Sequence, residues 1–444
     1  MSWLISVIGV GYVGLCTSLG FTAKSYKTTI YDNDKSKLNL LRNGLSPFFE
    51  PNLEKYLQDA KQNKLFVIAN RLKEAINTTN LTFIAVGTPS KKNGPIDLKY
   101  IKQATKQIGK ALKTKKTYHL IVIKSTVTPG TTVNIVKPLL QEYSNKKCGQ
   151  DFGLCMNPEF LSEGTAINDT LNPYQIIIGE NDKKSGDALE AFYKQLHQNT
   201  VPIIRTNLST AELIKYANNA FLATKISYIN TIANICEKIP RADVQTVAKA
   251  IGLDNRISPK FLRAGLGYGG SCFPKDLQAL IVFSKQKNYK PTLLEATQKV
   301  NNQQINHTIN LIKKTLGNLS NKTIAILGLS FKPHTNDMRE ARSTPIIKQL
   351  LNQGAKIKVY DPKALPNAKQ IFKNQITYAK SAKQCITNTD CTLIVTEWPE
   401  FKKLQPPDFI KHMKQPILID ARRIYDPQKF TKNMKYLAIG LGKQ

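Results

Sequence analysis

The chain has 444 residues, of which 41% are hydrophobic, so it is long enough to bury more than one core and to form two or three globular domains. No hydrophobic run approaches the roughly 18 residues that a membrane-spanning helix needs. The seven cysteines and five histidines show no spacing typical of a disulfide framework or a metal site. These features predict a soluble protein of the reducing cytoplasm, with no metal and no membrane partner.

The formal net charge of +33 is the unusual feature of the composition. Strongly basic chains often bind nucleic acid, so a basic nucleic-acid-binding protein with a Rossmann-like scaffold is one alternative. The lysines are spread along the whole chain, however, and no basic tail, zinc-finger spacing or RNA-binding aromatic motif accompanies them. We therefore favour a solvated lysine-rich surface and expect no nucleic-acid partner. A positive field would also attract anionic nucleotide substrates.

The N-terminal third alternates short β-branched runs with amphipathic stretches, which is typical of βαβ units on a parallel sheet. The predicted strands lie at residues 4–8, 28–31, 81–86, 119–123 and 175–178. We expect this α/β domain to occupy residues 1–205.

A glycine-rich turn follows the first predicted strand, because residues 9–14 read G-V-G-Y-V-G before a helical run. Asp32 ends the next strand, at the spacing where a carboxylate can accept hydrogen bonds from an adenine ribose. A dinucleotide pyrophosphate would lie at the positive end of the helix. The pattern predicts an NAD site formed by Gly9, Gly11, Gly14 and Asp32, with Tyr12 and Val13 lying between the glycines. A glycine turn without a ligand is the alternative, and the acid disfavours the additional phosphate of NADP.

A long helical pattern covers residues 209–239, opened by Ser and Thr caps and closed by Pro240. A helix of about thirty residues spans roughly 45 Å, enough to link two domains or to pair with a copy of itself. We therefore expect a homodimer and a central helical domain at residues 206–317.

A second α/β unit follows at residues 318–444, with strands predicted within 323–329, 356–362, 391–396 and 417–420. It repeats a feature of the first unit, because Tyr360 and Asp361 end a strand as Tyr31 and Asp32 do. The turn at Gly328 lacks the full glycine fingerprint. This domain would therefore hold a nucleotide in a different manner.

Cys272 follows a loop that carries four glycines, and Lys275 and Asp276 come three and four residues later. Glycines let a ligand approach the backbone closely, and Lys275 could favour the thiolate. By chemistry alone the thiol could be a nucleophile or a small buried hydrophobic group.

These segments together resemble the UDP-glucose and GDP-mannose dehydrogenases, whose members join two Rossmann-like domains by a long central helix. Eight family motifs recur in order along nearly the whole chain: GVGYVG at 9–14, VGTP at 86–89, KSTV at 124–127, NPEFLSEG at 157–164, ELIKYANN at 212–219, GGSCFPKD at 269–276, GLSFK at 328–332 and VTEW at 395–398. The resemblance implies two Rossmann-like doubly wound parallel-sheet domains joined by a long central helix.

The resemblance also implies a four-electron oxidation of a nucleotide sugar by two NAD molecules, without release of the aldehyde. Cys272 would add to the aldehyde, and oxidation of the thiohemiacetal would give a thioester that water cleaves. Lys215 and Asn219 are four residues apart on the predicted helix, so together they would stabilise an oxyanion at C6.

The remaining family roles concern hydrolysis and binding. Asp276 with Thr126 would hold the water, and Glu159 would act as general base. The family's cofactor contacts map onto Val13, Asp32, Lys37, Thr88, Thr126, Glu163, Lys275 and Arg339. Its sugar-nucleotide contacts map onto Glu159, Phe160, Leu161, Ser162, Glu163, Lys215, Asn219, Phe261, Leu262, Arg263, Ala264, Gly265, Gly269 and Lys332. Because Lys332 and Arg339 fall in the second α/β domain, the resemblance implies an active site that closes between domains.

Taken singly, these residues have ordinary structural interpretations. Lys215 and Asn219 could lie on a solvated helix face. Glu159 and Glu163 could be acids that interact with the dipole at the start of a helix, and Thr88 and Thr126 could be helix caps at strand ends. The chain departs from the family at Asp420-Ala421-Arg422, where Asp-Gly-Arg is common, and at Leu266, which replaces a frequent proline. The runs at 163–167 and 272–276 resemble the UDP-glucose branch. GDP-mannose and N-acetylated UDP-sugars are the alternative substrates.

Overall fold

The structure, a computed structural model, describes residues 3–91 and 94–443. The chain divides into two compact units, Met1–Asn218 and Asn219–Gln444. The predicted three-domain division, with boundaries after residues 205 and 317, stays a prediction.

The first unit is built around an eight-stranded sheet. Its strands are β1 Ile5–Ile8, β2 Thr28–Tyr31, β3 Phe66–Ile68, β4 Leu81–Ile84, β5 His119–Ile123, β6 Phe152–Met156, β7 Ile176–Glu180 and β8 Ile203–Asn207. Its helices are α1 Tyr12–Ala23, α2 Lys35–Arg42, α3 Leu53–Gln62, α4 Leu72–Asn77, α5 Lys99–Leu112, α6 Lys137–Ser144, α7 Ala166–Leu171 and α8 Lys183–Leu196, with a π-helical turn at Thr132–Val136.

The strand order is β3-β2-β1-β4-β5-β6-β7-β8. Strands β1 to β6 are parallel and follow the doubly wound order, with the topological switch point between β1 and β4. β7 runs antiparallel to β6, which departs from the parallel sheet that the sequence predicts. The chain between them contains only the short helix α7, so β7 begins at the edge where β6 ends.

The strands of this sheet are buried on both faces, as expected when helices cover a doubly wound sheet. Val7 and Val122 pack into one core, while Ile8 and Ile123 pack into the core on the opposite face. Because side chains alternate along a strand, these near-continuous apolar runs fix the sheet between two helical layers. The carboxyl ends of β1, β2, β4 and β5 then share one edge.

Helix α9, Leu208–Cys236, begins in the first unit and ends in the second. It stops before residue 239, the predicted end, because the residue preceding Pro240 is disfavoured in a helix. The Glu237 carboxylate there accepts a hydrogen bond from the backbone N–H of Gly440 at 2.9 Å. The end of α9 is thus tied to the C-terminal segment.

The second unit contains a six-stranded parallel sheet of order β11-β10-β9-β12-β13-β14, the same winding as the first six strands of the chain. Its strands are β9 Thr323–Leu327, β10 Lys356–Tyr360, β11 Thr377–Tyr378, β12 Cys391–Ile394, β13 Ile417–Asp420 and β14 Lys435–Ala438. Its helices are α10 Val244–Gly252, α11 Phe273–Gln286, α12 Thr292–Leu316, α13 Ser343–Asn352, α14 Leu365–Phe372, α15 Ala382–Ile386, α16 Pro406–His412 and α17 Pro427–Thr431, with a 3-10 turn at Phe401–Lys403.

These two sheets and the long helix confirm the predicted fold class, although several strand ends differ. β4 and β12, the strands after the switch point in the two sheets, each end two residues earlier than predicted. In each case the chain leaves the sheet where it packs against the glycine that follows β1 or β9. The carbonyl of Ala85 lies against Gly9, and Thr396 lies against Gly328. Among residues 3–91 and 94–443, no helix is long and apolar enough to cross a bilayer.

Candidate active site

The glycine turn after β1 uses its three glycines in different ways. Gly9 has φ +101°, and a Cβ there would lie 2.7 Å from the carbonyl oxygen of Ala85. A Cβ on Gly14 would overlap the carbonyl oxygen of Gly9. At Gly11 a Cβ would meet no atom within 4 Å. Two glycines are therefore required by the fold, whereas Gly11 leaves open space at the start of α1.

The amino end of α1 has no side-chain cap at Gly11 and no acidic residue in its first turn. The first N–H groups of a helix have no partner within the helix, and they carry its partial positive charge. Tyr12 and Val13, predicted cofactor contacts, form this first turn and are half-buried. An open, uncapped helix terminus beside a strand end fits the pyrophosphate of a dinucleotide.

The two strand-ending acids have different surroundings. Asp32 is half-buried, and its carboxylate accepts hydrogen bonds from the N–H groups of Val10 at 2.7 Å and Asp34 at 2.9 Å. Asp361 is buried and accepts hydrogen bonds from the N–H groups of Leu329, Ser330, Lys363 and Ala364 and from the Trp398 indole. A carboxylate has about four lone-pair sites. Asp32 therefore keeps capacity for a ribose, whereas Asp361 is saturated.

Thr88 and Thr126 follow the carboxyl ends of β4 and β5 and are half-buried. They share the sheet edge with Gly9 and Asp32, as the cofactor-contact prediction requires. Lys37, on α2, lies 3.8 Å from Asp34 in an exposed ion pair. The structure thus gathers these first-unit candidates at one edge, and their contact with NAD stays a prediction.

A buried ion pair joins two predicted catalytic residues of the first unit. The Lys215 ammonium lies 3.1 Å from Oε1 of Glu159, and both side chains are about 95% buried, with exposures of 4% and 6%. Oε2 of Glu159 accepts a hydrogen bond from the backbone N–H of Leu161. The Lys215 ammonium also lies over the Phe160 ring, 5.3 Å from its centre. Lys215 is therefore not part of a solvated helix face.

A second buried lysine, Lys124, lies beside this pair and was not singled out from the sequence. Its ammonium donates to Oδ1 of Asn157 at 2.9 Å. Burial lowers the pKa of Lys124 to about 8, the nearby Glu159 opposes that shift, and Lys215 adds to it. The sequence did contain an indication of this contact. Lys124 begins the KSTV motif directly after β5, and Asn157 begins the NPEFLSEG motif directly after β6.

The segment that carries Glu163 is fastened by another residue that the sequence did not reveal. The buried carboxylate of Glu50 accepts hydrogen bonds from the backbone N–H groups of Gly164 at 2.6 Å and Ala166 at 2.7 Å. The N–H of Gly164 also donates to the Tyr12 hydroxyl at 2.8 Å. The segment 159–166, with five predicted sugar-nucleotide contacts, is thereby held to the glycine turn.

Glu212 holds the turn that follows Thr126. Its buried carboxyl accepts hydrogen bonds from the N–H groups of Gly130 and Thr132 and from the Thr132 hydroxyl. Burial raises the pKa of Glu212 to about 7, although the hydrogen bonds act in the opposite direction. This carboxyl therefore links the start of α9 to the end of the β5 edge.

In the second unit, Cys272 is exposed and occupies the N-cap position of α11. Cys148 is partly exposed, and the remaining cysteines are buried. The partial positive charge at a helix amino end favours a thiolate. Cys272 is thus not a small buried hydrophobic group, and its position suits a nucleophile.

Asp276 lies in the first turn of α11 and brings two further candidates together. Its buried carboxylate accepts a hydrogen bond from Nδ2 of Asn219 at 2.7 Å and another from the Lys275 ammonium at 2.5 Å. Lys275 therefore has a carboxylate partner of its own. The three side chains form a charge-assisted group of the kind that can orient a water molecule.

The loop before Cys272 is packed tightly against the second sheet. A Cβ on Gly265 would lie 2.8 Å from the carbonyl oxygen of Ala421, and one on Gly269 would overlap the carbonyl oxygen of Glu340. Leu262 and Ala264 are buried, and Phe261 and Arg263 are exposed. The two glycines thus bring the loop backbone close to the edge of the sheet.

Two cationic candidates and one family departure lie in this unit. Arg339 forms an ion pair with Asp337 at 2.6 Å, and the Lys332 ammonium lies 5.5 Å from the centre of the Phe331 ring. The positive φ of the 420–423 turn falls at Arg423, not at Ala421. Alanine in place of the common glycine therefore causes no backbone strain there. Among the residues that the structure describes, no cluster could hold a metal ion.

Comparisons with known proteins cover nearly the whole chain. Sequence models of the UDP-glucose/GDP-mannose dehydrogenase family match residues 3–197 as the NAD binding domain, 209–303 as the central domain and 325–427 as the UDP binding domain. The chain is 42% identical over 421 residues to UDP-glucose 6-dehydrogenase TuaD of Bacillus subtilis, covering 95% of this chain and 89% of that protein. It is 40% identical to UDP-glucose 6-dehydrogenase AglM of Haloferax volcanii, covering 95% and 96%.

Solved structures agree with this result. A UDP-glucose dehydrogenase from the hyperthermophilic archaeon Pyrobaculum islandicum superposes with a TM-score of 0.92 at 33% identity, covering 99% of this chain and 98% of that one. A UDP-D-ManNAc dehydrogenase from Pyrococcus horikoshii gives 0.86 at 25% identity, covering 98% and 99%. The predictions of family, fold class and NAD as cofactor are confirmed. The chain therefore belongs to the UDP-glucose/GDP-mannose dehydrogenase family, and it is an NAD-dependent oxidoreductase.

Proposed function

We propose that this protein oxidises the C6 hydroxyl of UDP-glucose to a carboxylate through a covalent intermediate on Cys272. The observation that carries the proposal is an exposed thiol at the amino end of α11, one helical turn before the buried Asp276 group. Relatives that are 38–42% identical over 95–98% of the chain are named UDP-glucose 6-dehydrogenases. Their names favour UDP-glucose over GDP-mannose and N-acetylated UDP-sugars.

The first oxidation removes a hydride from C6 and a proton from its hydroxyl, leaving an aldehyde. When bound, NAD would supply the hydride acceptor for this oxidation and for the second one. Lys215 and Asn219 lie on successive turns of α9, so their donors can share one oxygen. In this scheme they stabilise the negative charge that develops on the C6 oxygen.

The thiol of Cys272 then adds to the aldehyde. Sγ bonds to C6, the π bond of the carbonyl breaks, and the proton given up by the thiol passes to the oxygen, which becomes the hydroxyl of a thiohemiacetal. Loss of a second hydride from C6, with the hydroxyl proton, gives a thioester. The aldehyde stays attached to the protein throughout.

Hydrolysis completes the reaction. Asp276 and Thr126 hold a water molecule, and Glu159 takes its proton as it attacks the thioester carbon. The C–S bond breaks, the thiolate of Cys272 leaves, and the product is UDP-glucuronate.

Counting NADH per mole of sugar nucleotide tests the proposal. We expect two NADH per UDP-glucose and none, or far slower turnover, with GDP-mannose or UDP-N-acetyl sugars. The variant Cys272→Ser abolishes UDP-glucuronate formation and keeps NAD binding, because serine is a much weaker nucleophile at neutral pH. Cys148→Ser, at the partly exposed cysteine, is the matched control and keeps activity. Acid production by Cys272→Ser near the wild-type rate would refute the covalent scheme.

We also propose that the active form is a homodimer that pairs through α9. Phe221, Tyr228 and Ile235 are exposed to 65%, 53% and 49%, and each is seven residues from the next. Residues at this spacing form one stripe on a helix, and an apolar stripe of this kind suits packing against a second copy. Sedimentation velocity should give a dimer for the wild type and a monomer for F221D/Y228D. The control Y289D, at an exposed tyrosine after α11, should stay dimeric.

The proposed compartment is the cytoplasm. The cytoplasm keeps thiols reduced, which suits an exposed cysteine nucleophile. Localisation of a tagged chain by fractionation tests this, and recovery from an oxidising compartment would contradict it.

A further inference from the structure

Lys124 is a buried lysine whose ammonium is hydrogen-bonded to a neutral side chain instead of a carboxylate. It follows β5 directly, and its ammonium donates to the neutral side-chain oxygen of Asn157 at 2.9 Å. The same oxygen accepts a hydrogen bond from the Tyr193 hydroxyl, and Nδ2 of Asn157 donates to the carbonyl of Ile177 at 2.8 Å. Among the residues that the structure describes, the Lys124 ammonium forms no ion pair.

A buried ion pair lies beside Lys124. Glu159 and Lys215 interact electrostatically with Lys124, and they form a neutral pair with each other. The phenols of Tyr193 and Tyr174 also face this cluster and are uncharged at neutral pH, because burial raises the pKa of each. His197 faces it as well, and burial lowers its pKa to about 4. Glu159 thus already has a cationic partner in Lys215, and Lys124 adds a second buried ammonium beside it.

Packing alone does not account for a lysine at this position. Burying an ammonium against a neutral amide disfavours folding, and methionine would fill nearly the same volume without that cost. Asn157 already has a second donor in Tyr193 and an acceptor in Ile177, so its position does not depend on a charge. The buried ammonium therefore points to a role in the reaction.

We propose that Lys124 is a positioning residue for the oxidation at C6. Its ammonium lies beside the Glu159–Lys215 ion pair, and through Lys215 its charge helps to stabilise the C6 oxyanion. The inference rests on the proposed function, in which Glu159 and Lys215 are catalytic residues.

If Lys124 acts through its charge, kcat should depend on the protonation of its ammonium. Because the pKa of Lys124 is about 8, we expect kcat to fall as this ammonium loses its proton above that pH. In Lys124→Met, kcat should fall about tenfold with little change in KM, less than the loss typical of removing a direct oxyanion donor. The inflection near pH 8 should also be absent from that variant.

Asn157→Asp supplies an independent variant if Lys124→Met folds poorly. A carboxylate beside an ammonium raises the pKa of the ammonium by about one unit or more, so the inflection should move to higher pH. Tyr193→Phe is the matched control, because it removes the other donor to the same Asn157 oxygen without changing any charge. It should leave the position of the inflection unchanged, even where it lowers thermal stability.

The assay is steady-state NADH formation from UDP-glucose between about pH 6.5 and about pH 10, the range in which a perturbed lysine titrates. An inflection at the same pH in wild type, Lys124→Met and Asn157→Asp would overturn the inference. That result is distinct from failure of the proposed function, in which the wild type itself forms no NADH from UDP-glucose.

Discussion

Replacing Glu212 by glutamine tests how a buried carboxyl at the start of α9 holds the turn after β5. The carboxyl accepts hydrogen bonds from the N–H of Gly130 at 2.5 Å and from the N–H and hydroxyl of Thr132 at 2.7 and 2.6 Å. Glutamine keeps one acceptor oxygen and turns a nitrogen donor toward the remaining partners. The variant therefore removes the charge and leaves at least one buried donor unsatisfied.

The magnitude follows from the pKa of Glu212, which burial raises from 4.5 to about 7. Between these pH values the native state binds more protons than the unfolded state. The stabilising contribution is thus fully present below pH 4.5 and is lost as the pH rises through 7. The loss is about 3 kcal/mol, because one pKa unit corresponds to about 1.4 kcal/mol. Glutamine has no such pH dependence, and its unsatisfied donor costs about 1–3 kcal/mol at every pH.

Urea unfolding of wild type and E212Q at about pH 5, 6, 7 and 8 measures the effect. We expect the free energy of unfolding of the wild type to exceed that of E212Q by the largest amount at the lowest pH. This difference should be about 3 kcal/mol smaller at the highest pH. E142Q, at an exposed carboxyl on α6, is the matched control. A difference between wild type and E212Q that is constant across this range would refute the reasoning.

Three further outcomes follow from the first unit. G11A should fold with wild-type thermal stability and lose NAD affinity, since its Cβ meets no protein atom, whereas G14A should lower the melting temperature because its Cβ overlaps backbone. D32A should weaken NAD binding about tenfold or more, by loss of charge-assisted hydrogen bonds, and leave UDP-glucose binding unchanged in separate titrations. Burial lowers the pKa of His119 to about 3, so the native state excludes a proton that the unfolded state binds below about pH 6.5. As the pH decreases below about 6.5, the free energy of unfolding should therefore decrease in the wild type and in the exposed-site control H334Q. It should decrease less steeply in H119Q.

The sequence predicted those parts of the fold whose causes are local. Strands β2 and β5 have the predicted bounds, because each is a short apolar or β-branched run between turn signals. Strands β3 and β11 were missed because they are three and two residues long. β6, Phe152–Met156, was missed because it contains a glycine and no β-branched residue. The direction of β7 depends on a connection whose path no local pattern specifies.

Within the candidate site, the limit was the distance along the chain between partners. Glu50 binds backbone more than 110 residues away, and Glu212 binds a turn about 80 residues away. From the sequence alone, a single acid in a polar stretch is interpreted as a solvated residue, because its hydrogen-bond donors lie far away in the chain. Lys124 was passed over for the same reason, since its partner Asn157 lies 33 residues later in the chain. Cys272 was found because glycines around it mark a close approach within its own segment.

The two halves of the chain show why a shared winding does not imply a shared binding mode. In the first, α1 begins directly after Gly11 and presents uncapped backbone N–H groups. In the second, α13 begins only at Ser343, and Asp361 already occupies the N–H groups of the turn after β9. The anion-binding helix terminus of the first turn is therefore missing from the second turn as the structure describes it. The intervening segment 328–342 carries cationic side chains instead, Lys332 and Arg339 among them. The two turns therefore share one sheet topology but offer different groups to an anion: backbone donors in the first turn and side-chain cations in the second.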